Sequence, residues 1–287
     1  MAAAQPRLRR ISARRRATNA ALLGLCGLAG LGSAAILLVL LGFVLVNGIR
    51  YVRPAFLLEL PTPMGVPGGG IAHALAGSAL MVGLACLWSI PLAIGIGIFL
   101  AEYGRRRLAT VVRFVSDVLV GVPSIVVGMF GYTLIVLRDG NFSALAGAFA
   151  LGFIILPIVG RTTEESLRLV PGDLREAALA LGVPRWKTTL RVALPAASSG
   201  VVTGAMLGLS RVAGETAPLL FTALGNNFLN LDPTRPTAAM TLNIYNYALS
   251  PFDYLHEQAW AASFFLLVFV LLINILARRV AVRKVSR

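Results

Sequence analysis

The sequence predicts an all-α integral membrane protein with six transmembrane helices, on three observations. The 287 residues are 57% hydrophobic and only 13% charged, too apolar for an ordinary soluble domain. Six long apolar runs are separated by polar or helix-breaking segments. Of the 26 Arg and Lys residues, 21 fall in four clusters: six from Arg7 to Arg16, four from Arg105 to Arg113, six from Arg161 to Arg191 and five from Arg278 to Arg287. All four clusters lie on one side of the membrane if the chain crosses six times, as the positive-inside rule demands. The net charge of +14 would suggest nucleic acid in a soluble protein, but its placement here reports topology.

The chain divides into a basic arm over 1–19 and a six-span domain over 20–287. Ala20 to Val46 is apolar almost throughout, too long for the core of a signal peptide, and reads as a retained first span. Four prolines and the triple glycine Gly68–Gly70 make the next stretch an outer loop. The second span runs from about Ala72 to Leu100, with a kink expected at Pro91. A short basic inner loop leads to a third span over Phe114–Leu137, and the turn Arg138–Asn141 to a fourth over Phe142–Val159. A fifth span is expected over Ala196–Ala223, then an outer loop over Gly225–Glu257. Its Tyr245, Tyr247, Phe252 and Tyr254 suit a membrane interface. The sixth span, Gln258–Leu276, precedes a basic inner tail.

The chain holds no G-x-x-x-x-G-K-[ST] run, so it has no phosphate-gripping loop for ATP, and no metal-ligand cluster. It reads as a non-enzyme whose energy comes from a partner. Cys26 and Cys86 read as small buried hydrophobes. His73 and His256, isolated near span ends, read as local hydrogen-bond formers.

Two charges fall inside the expected fifth span, Arg211 and Glu215. Intramembrane ionisable groups are costly and face a polar cavity or one another. On a continuous helix, Gly200, Gly204, Gly208, Arg211 and Glu215 lie within an arc of about 80°. The glycines then form a ridge that another helix can approach closely. The i, i+4 spacing allows Arg211 and Glu215 to pair as a structural unit. Alternatively the pair lines a route for an anion, since a guanidinium offers a planar donor fork to oxyanions. A second stripe, Arg161, Glu164, Glu165 and Arg168, shares a face at the end of the fourth span. It reads either as a solvated salt-bridged surface or as part of the same route.

The longest polar interruption in the C-terminal half is 168–195, centred on Glu176–Pro195. Leu174 to Leu181 is rich in helix formers, Gly182 suits a left-handed helix end, and Pro184 can restart a helix. Ala177 and Ala178 allow close approach, and Leu181 and Trp186 offer apolar knobs to a partner. Glu176, Ala177, Ala178, Gly182, Val192, Leu194 and Pro195 also fill the places of the EAA loop, so the segment resembles the ATPase-docking loop of bacterial ABC importer permeases. Gly68–Ala76, Pro123–Gly128, Arg161–Ser166, Ser210–Leu220 and Ile244–Ala248 narrow the resemblance to the PstA-type permeases of phosphate-specific importers.

That resemblance implies the type I (MetI-like) permease architecture and placement in the bacterial cytoplasmic membrane with both termini inside. It implies a related second permease of PstC type, a dimer of ATPase subunits holding ATP and Mg, and a periplasmic or surface phosphate-binding protein. No cofactor is expected in this chain. Arg161, Glu164 or Glu165, Arg211 and Glu215 would act in transport, and Glu176, Ala177, Ala178, Leu181, Gly182 and Trp186 in docking. The rival readings are a permease for phosphonate, sulfate or molybdate, and a non-transporting membrane scaffold or sensor.

Overall fold

The computed structural model describes residues 13–63, 65–104 and 107–285. Most of the basic arm, Arg105 and Arg106 lie outside these. The chain forms two compact units, Met1–Asn47 and Gly48–Arg287. The first consists of helix α1, Ala13–Ile49, which takes in Arg14–Arg16 and continues a few residues past the unit's end. Its leucines are exposed along its length, as suits a helix that is apolar all round. Cys26 is therefore exposed rather than buried, while Cys86 is half-buried; both are free thiols.

The second unit is built from helices joined by turns and loops, with no strand among its described residues. Its helices are α2 (Ala72–Glu102), α3 (Arg107–Gly121), α4 (Ser124–Asp139), α5 (Ala144–Arg168) and α6 (Gly172–Ala180). They are followed by α7 (Arg185–Ala196), α8 (Ser198–Ala213), α9 (Ala217–Thr222), α10 (Met240–Ala248) and α11 (Asp253–Val285). Among the described residues four helices, α1, α2, α5 and α11, are long and apolar enough to cross a membrane. Counting each bent pair as one span brings the total to six.

The two bent pairs lie where the third and fifth spans are expected, each broken into two helices. Between α3 and α4 the chain turns by 105°. Pro123, with ψ of 135°, cannot continue the preceding helix. In two other helices proline is carried without a break: α2 runs on through Pro91 and α5 through Pro157. The difference lies in what α4 packs on. A Cβ on its Gly128 would lie 2.5 Å from the Cα of Pro218, so α4 seats its backbone directly on α9. The second bend, 71°, separates α7 from α8 at Ala197. The expected fifth span also ends early, at Ala213, because the ring of Pro218 is incompatible with a helical carbonyl at Gly214, four residues before it.

Helix α5 is the central element. Its Leu151, Ile155 and Val159 are fully buried with Met81 and Ala85 of α2, Val212 of α8, Leu219 of α9 and Leu242 of α10. Helix α10 falls within the stretch expected to be an outer loop, and its first four residues are buried. Of the aromatic residues placed there, Tyr245 is exposed and Tyr247 half-buried. Both histidines make hydrogen bonds, His256 locally with the Ser250 carbonyl at 2.7 Å and His73, contrary to the local bond expected, across the fold with Asn243 of α10 at 2.9 Å.

Candidate functional site

The glycine ridge of α8 faces α5 of the same chain. A Cβ on Gly200 would strike Ser166, one on Gly204 would lie 2.7 Å from Thr162, and one on Gly208 would press on Val159 and Ile155. One turn further along, Arg211 reaches the groove between α5 and the α3–α4 bend. Its side chain lines a small cavity with Leu119, Val122, Ser124, Phe153 and Pro157. The cavity holds about 20 Å³, room for roughly one water molecule. Ser124 opens α4, and first-turn N–H groups lack intrahelical acceptors, so the break aims a helix N-terminus at the space Arg211 enters.

Glu215 does not share the face expected for it, because α8 ends before it. Its backbone N–H donates to Val212, and its carbonyl accepts from the Thr241 hydroxyl at 2.9 Å. The Arg211–Glu215 approach is 3.6 Å, longer than a hydrogen bond, and the Arg211 side chain is 53% exposed.

The charges at the end of α5 do not form one solvated stripe. Glu164 is 4% exposed and held between Arg113 at 2.8 Å and Arg168 at 2.6 Å. Arg113 also donates to the Leu100 carbonyl of α2, so this knot joins three helices. Arg161 faces the other way, towards Asp117 at 2.8 Å and the exposed Glu165 at 2.9 Å. Arg113–Glu164 and Asp117–Arg161 are thus two rungs of a ladder between antiparallel α3 and α5. Arg161 lies four residues beyond the cavity-lining Pro157, about 6 Å along the axis. Arg211 lines the cavity, Arg161 stands about one turn along α5 from it, and Glu164 turns instead to Arg113 and Arg168.

Sequence reasoning missed Asp117, Arg113 and Arg175. Asp117 carried a readable signal, a lone acid within an expected span. Arg113 was absorbed into a basic cluster read only as topology.

A roomier cavity of about 490 Å³ lies among the loops and helix ends, lined by Asn226, Asn243, Asn246, Tyr247, Tyr254 and Gln258 among others. Its lining has no charged side chain. Burial, with a smaller push from Tyr254, raises the Tyr247 hydroxyl to about 12 and keeps it neutral. Nothing in this wall answers the charge of an anion.

The segment 168–195 has the expected helix–turn–helix form. Helix α6 closes with Gly182 at φ +79°, where the Gly182 N–H donates to Leu179 and the Val183 N–H to Ala178. This is the paired-bond helix end that glycine favours. Pro184 precedes the first residue of α7 as its N-cap. Glu176, Ala177, Leu181 and Trp186 are exposed, whereas Ala178 is buried within the chain and supports the loop from inside. Pro195 follows a π turn at Thr189–Ala193, which accommodates its missing donor.

Residues 93–286 match the family described as the binding-protein-dependent transport system inner membrane component. The chain belongs to this permease family. A phosphate transport system permease protein PstA from Yersinia pestis is 47% identical to the permease over 239 residues, 83% of this chain and 81% of its own. A PstA from Xylella fastidiosa is 49% identical over 224 residues, covering 77% and 78%. A PstA 1 from Mycobacterium tuberculosis is 42% identical over 221 residues, covering 75% and 72%. Among solved structures, an inward-facing MetNI methionine ABC transporter superposes with a TM-score of 0.61 at 18% identity, over 75% of this chain and 95% of that one. At that identity the likeness concerns the fold. The PstA-type resemblance and the MetI-like helical architecture read from the motifs are borne out.

Proposed function

We propose that this permease carries inorganic phosphate inwards across the bacterial cytoplasmic membrane as one subunit of an ATP-driven importer. The observation that carries the reading is Arg211. Its guanidinium stands in a groove between helices, held only loosely by Glu215 and facing the N-terminus of α4. Such a group offsets part of the cost of taking an anion out of water, and its planar fork matches phosphate oxygens. Arg161 stands about one turn along α5 from the cavity, tied to Asp117 and Glu165 by bonds that an arriving anion can exchange. The names of the PstA relatives favour phosphate over other oxyanions.

A cavity of about 20 Å³ is too small for phosphate, so transport requires α3, α4 and α5 to part. The force comes from outside the chain. A dimeric ATPase holding ATP and Mg closes on the exposed Glu176, Ala177, Leu181 and Trp186, and a second, PstC-type permease completes the route. A phosphate-binding protein delivers substrate to the outer face. Both termini lie in the cytoplasm.

The test is reconstitution of the full complex in proteoliposomes with labelled phosphate, and with sulfate, molybdate and a phosphonate as competitors. ATP-dependent phosphate uptake that only phosphate competes away is expected; displacement by another oxyanion would reassign the substrate, and no uptake would leave the scaffold reading. Topology is checked by labelling from outside intact cells. Cysteine at Gly68 or Asp232 should react and cysteine at Arg106 or Arg185 should not.

A further inference from the structure

Arg175 opens the Arg175–Glu176–Ala177–Ala178 stretch, yet its guanidinium bonds entirely outside its own helix. It donates to the Val170 carbonyl at 2.9 Å and the Leu167 carbonyl at 2.7 Å. It also reaches one oxygen of Glu102 through Nε at 3.2 Å and Nη2 at 3.1 Å. Leu167 lies in the last turn of α5, where carbonyls run out of helical partners. Glu102 is the last residue of α2. One side chain therefore ties the docking helix α6 to the ends of the two helices that form the centre of the fold. Beneath it, Leu167 and Val170 pack with Ala193, Ala197 and Val201, and against Ile94 and Ile98 of α2. The apolar layer fills the joint, and the guanidinium sets its orientation.

We infer that Arg175 is the positioning residue that makes the docking loop move as one body with α2 and α5. This inference rests on the import reading above. A push on the exposed face of α6 then reaches α5, which carries Arg161 and lines the Arg211 cavity with Phe153 and Pro157. Without Arg175 the loop stays attached through residues 169–171 and through α7, but it can swing before α5 follows. The planar fork matters because three acceptors at different angles must be met at once, which a lysine ammonium on a flexible stem cannot do.

The test uses the reconstituted complex and measures phosphate imported per ATP hydrolysed, with co-purification of the ATPase as the control. Arg175→Ala should keep its ATPase, because the outward residues are untouched. Its phosphate-to-ATP ratio should fall about tenfold, as expected when a charge-assisted hydrogen-bond set is lost. Arg175→Lys should lie between, and Glu102→Gln nearer wild type, since the amide oxygen still accepts and both carbonyls keep their donor. A wild-type ratio in Arg175→Ala would overturn the inference. So would equal loss of assembled complex in Arg175→Ala and Arg175→Lys, which would make the residue merely a folding element. A second measurement needs no phosphate. With Cys26 and Cys86 replaced by alanine, spin labels are placed at Asp173→Cys on α6 and Leu87→Cys on α2. Their distance distribution should be narrow and unchanged by ATP, and should broaden when Arg175→Ala is added. A distribution that Arg175→Ala leaves unaltered would sink the latch, even where uptake had failed for reasons of substrate.

Discussion

Arg161 and Arg211 look alike in the sequence, each near or within an apolar helix and each followed four residues later by a glutamate. In the structure they are opposites. Arg161 is saturated, with two carboxylates within 2.9 Å, and beside it Glu164 is sunk between two more arginines. Arg211 has one carboxylate at 3.6 Å, half of its side chain uncovered, and a groove in front of it. The spacing predicts a pair only while the helix continues. Helix α5 continues through Glu165, whereas α8 stops at Ala213 and Glu215 leaves the register. A charge with a partner on a neighbouring helix holds helices together until an anion displaces that partner; a charge left under-partnered inside an apolar region is available to a ligand at once.

The comparison breaks most readily at Glu164. Glu164→Ala takes the shared partner from Arg113 and Arg168, which are exposed enough to turn to water, so the cost should be that of lost hydrogen bonds to a charged group, about 1.5–3 kcal/mol. The detergent-solubilised complex should lose thermal stability and yield; a mutant that melts with wild type would show the knot to be idle. Arg211→Gln should leave melting and ATPase binding nearly unchanged but cut phosphate uptake. The cut should be on the order of 10- to 100-fold, equivalent to one lost hydrogen bond to a charged group. Arg211→Lys should recover only part, for want of the fork. Uptake at the wild-type rate per assembled Arg211→Gln complex would remove Arg211 from the route. The smallest effect is expected at Glu165, exposed and paired on its own helix. Glu165→Gln should shift stability by less than about 1 kcal/mol, as for other exposed pairs. A loss as large as that of Glu164→Ala, read in the same melting assay, would erase the distinction between the two glutamates.

What could be read in the chain beforehand follows from the range of the forces involved. The four unbroken spans, the closing turn at Gly182 and the exposed knobs Leu181 and Trp186 depend on neighbours a few residues away. The turn at Pro123 does not, because it needs Pro218, ninety-five residues later, as the surface on which Gly128 rests. Helix α10 is short and was hidden in a stretch read as loop; its Leu242 finds its place only in the core built by α2 and α5. At the site, Arg211 stood out because a lone cation in an apolar run is conspicuous. The end of α8 was legible in principle from Pro218 acting on Gly214. The choice between Glu164 and Glu165 was not, since it depends on Arg113 reaching across from α3.

The turn closed by Gly182 bears on how quickly subunits find one another. Its two backbone bonds, Gly182 to Leu179 and Val183 to Ala178, are internal to the chain. The backbone that presents Leu181 is thus set by the permease itself, and little loop ordering remains to be done when a partner arrives. Ordering at an interface costs about 0.5–1.5 kcal/mol per immobilised side chain. A turn whose backbone is already ordered leaves only the exposed side chains to be fixed, so a partner that docks there can do so at the first well-oriented encounter.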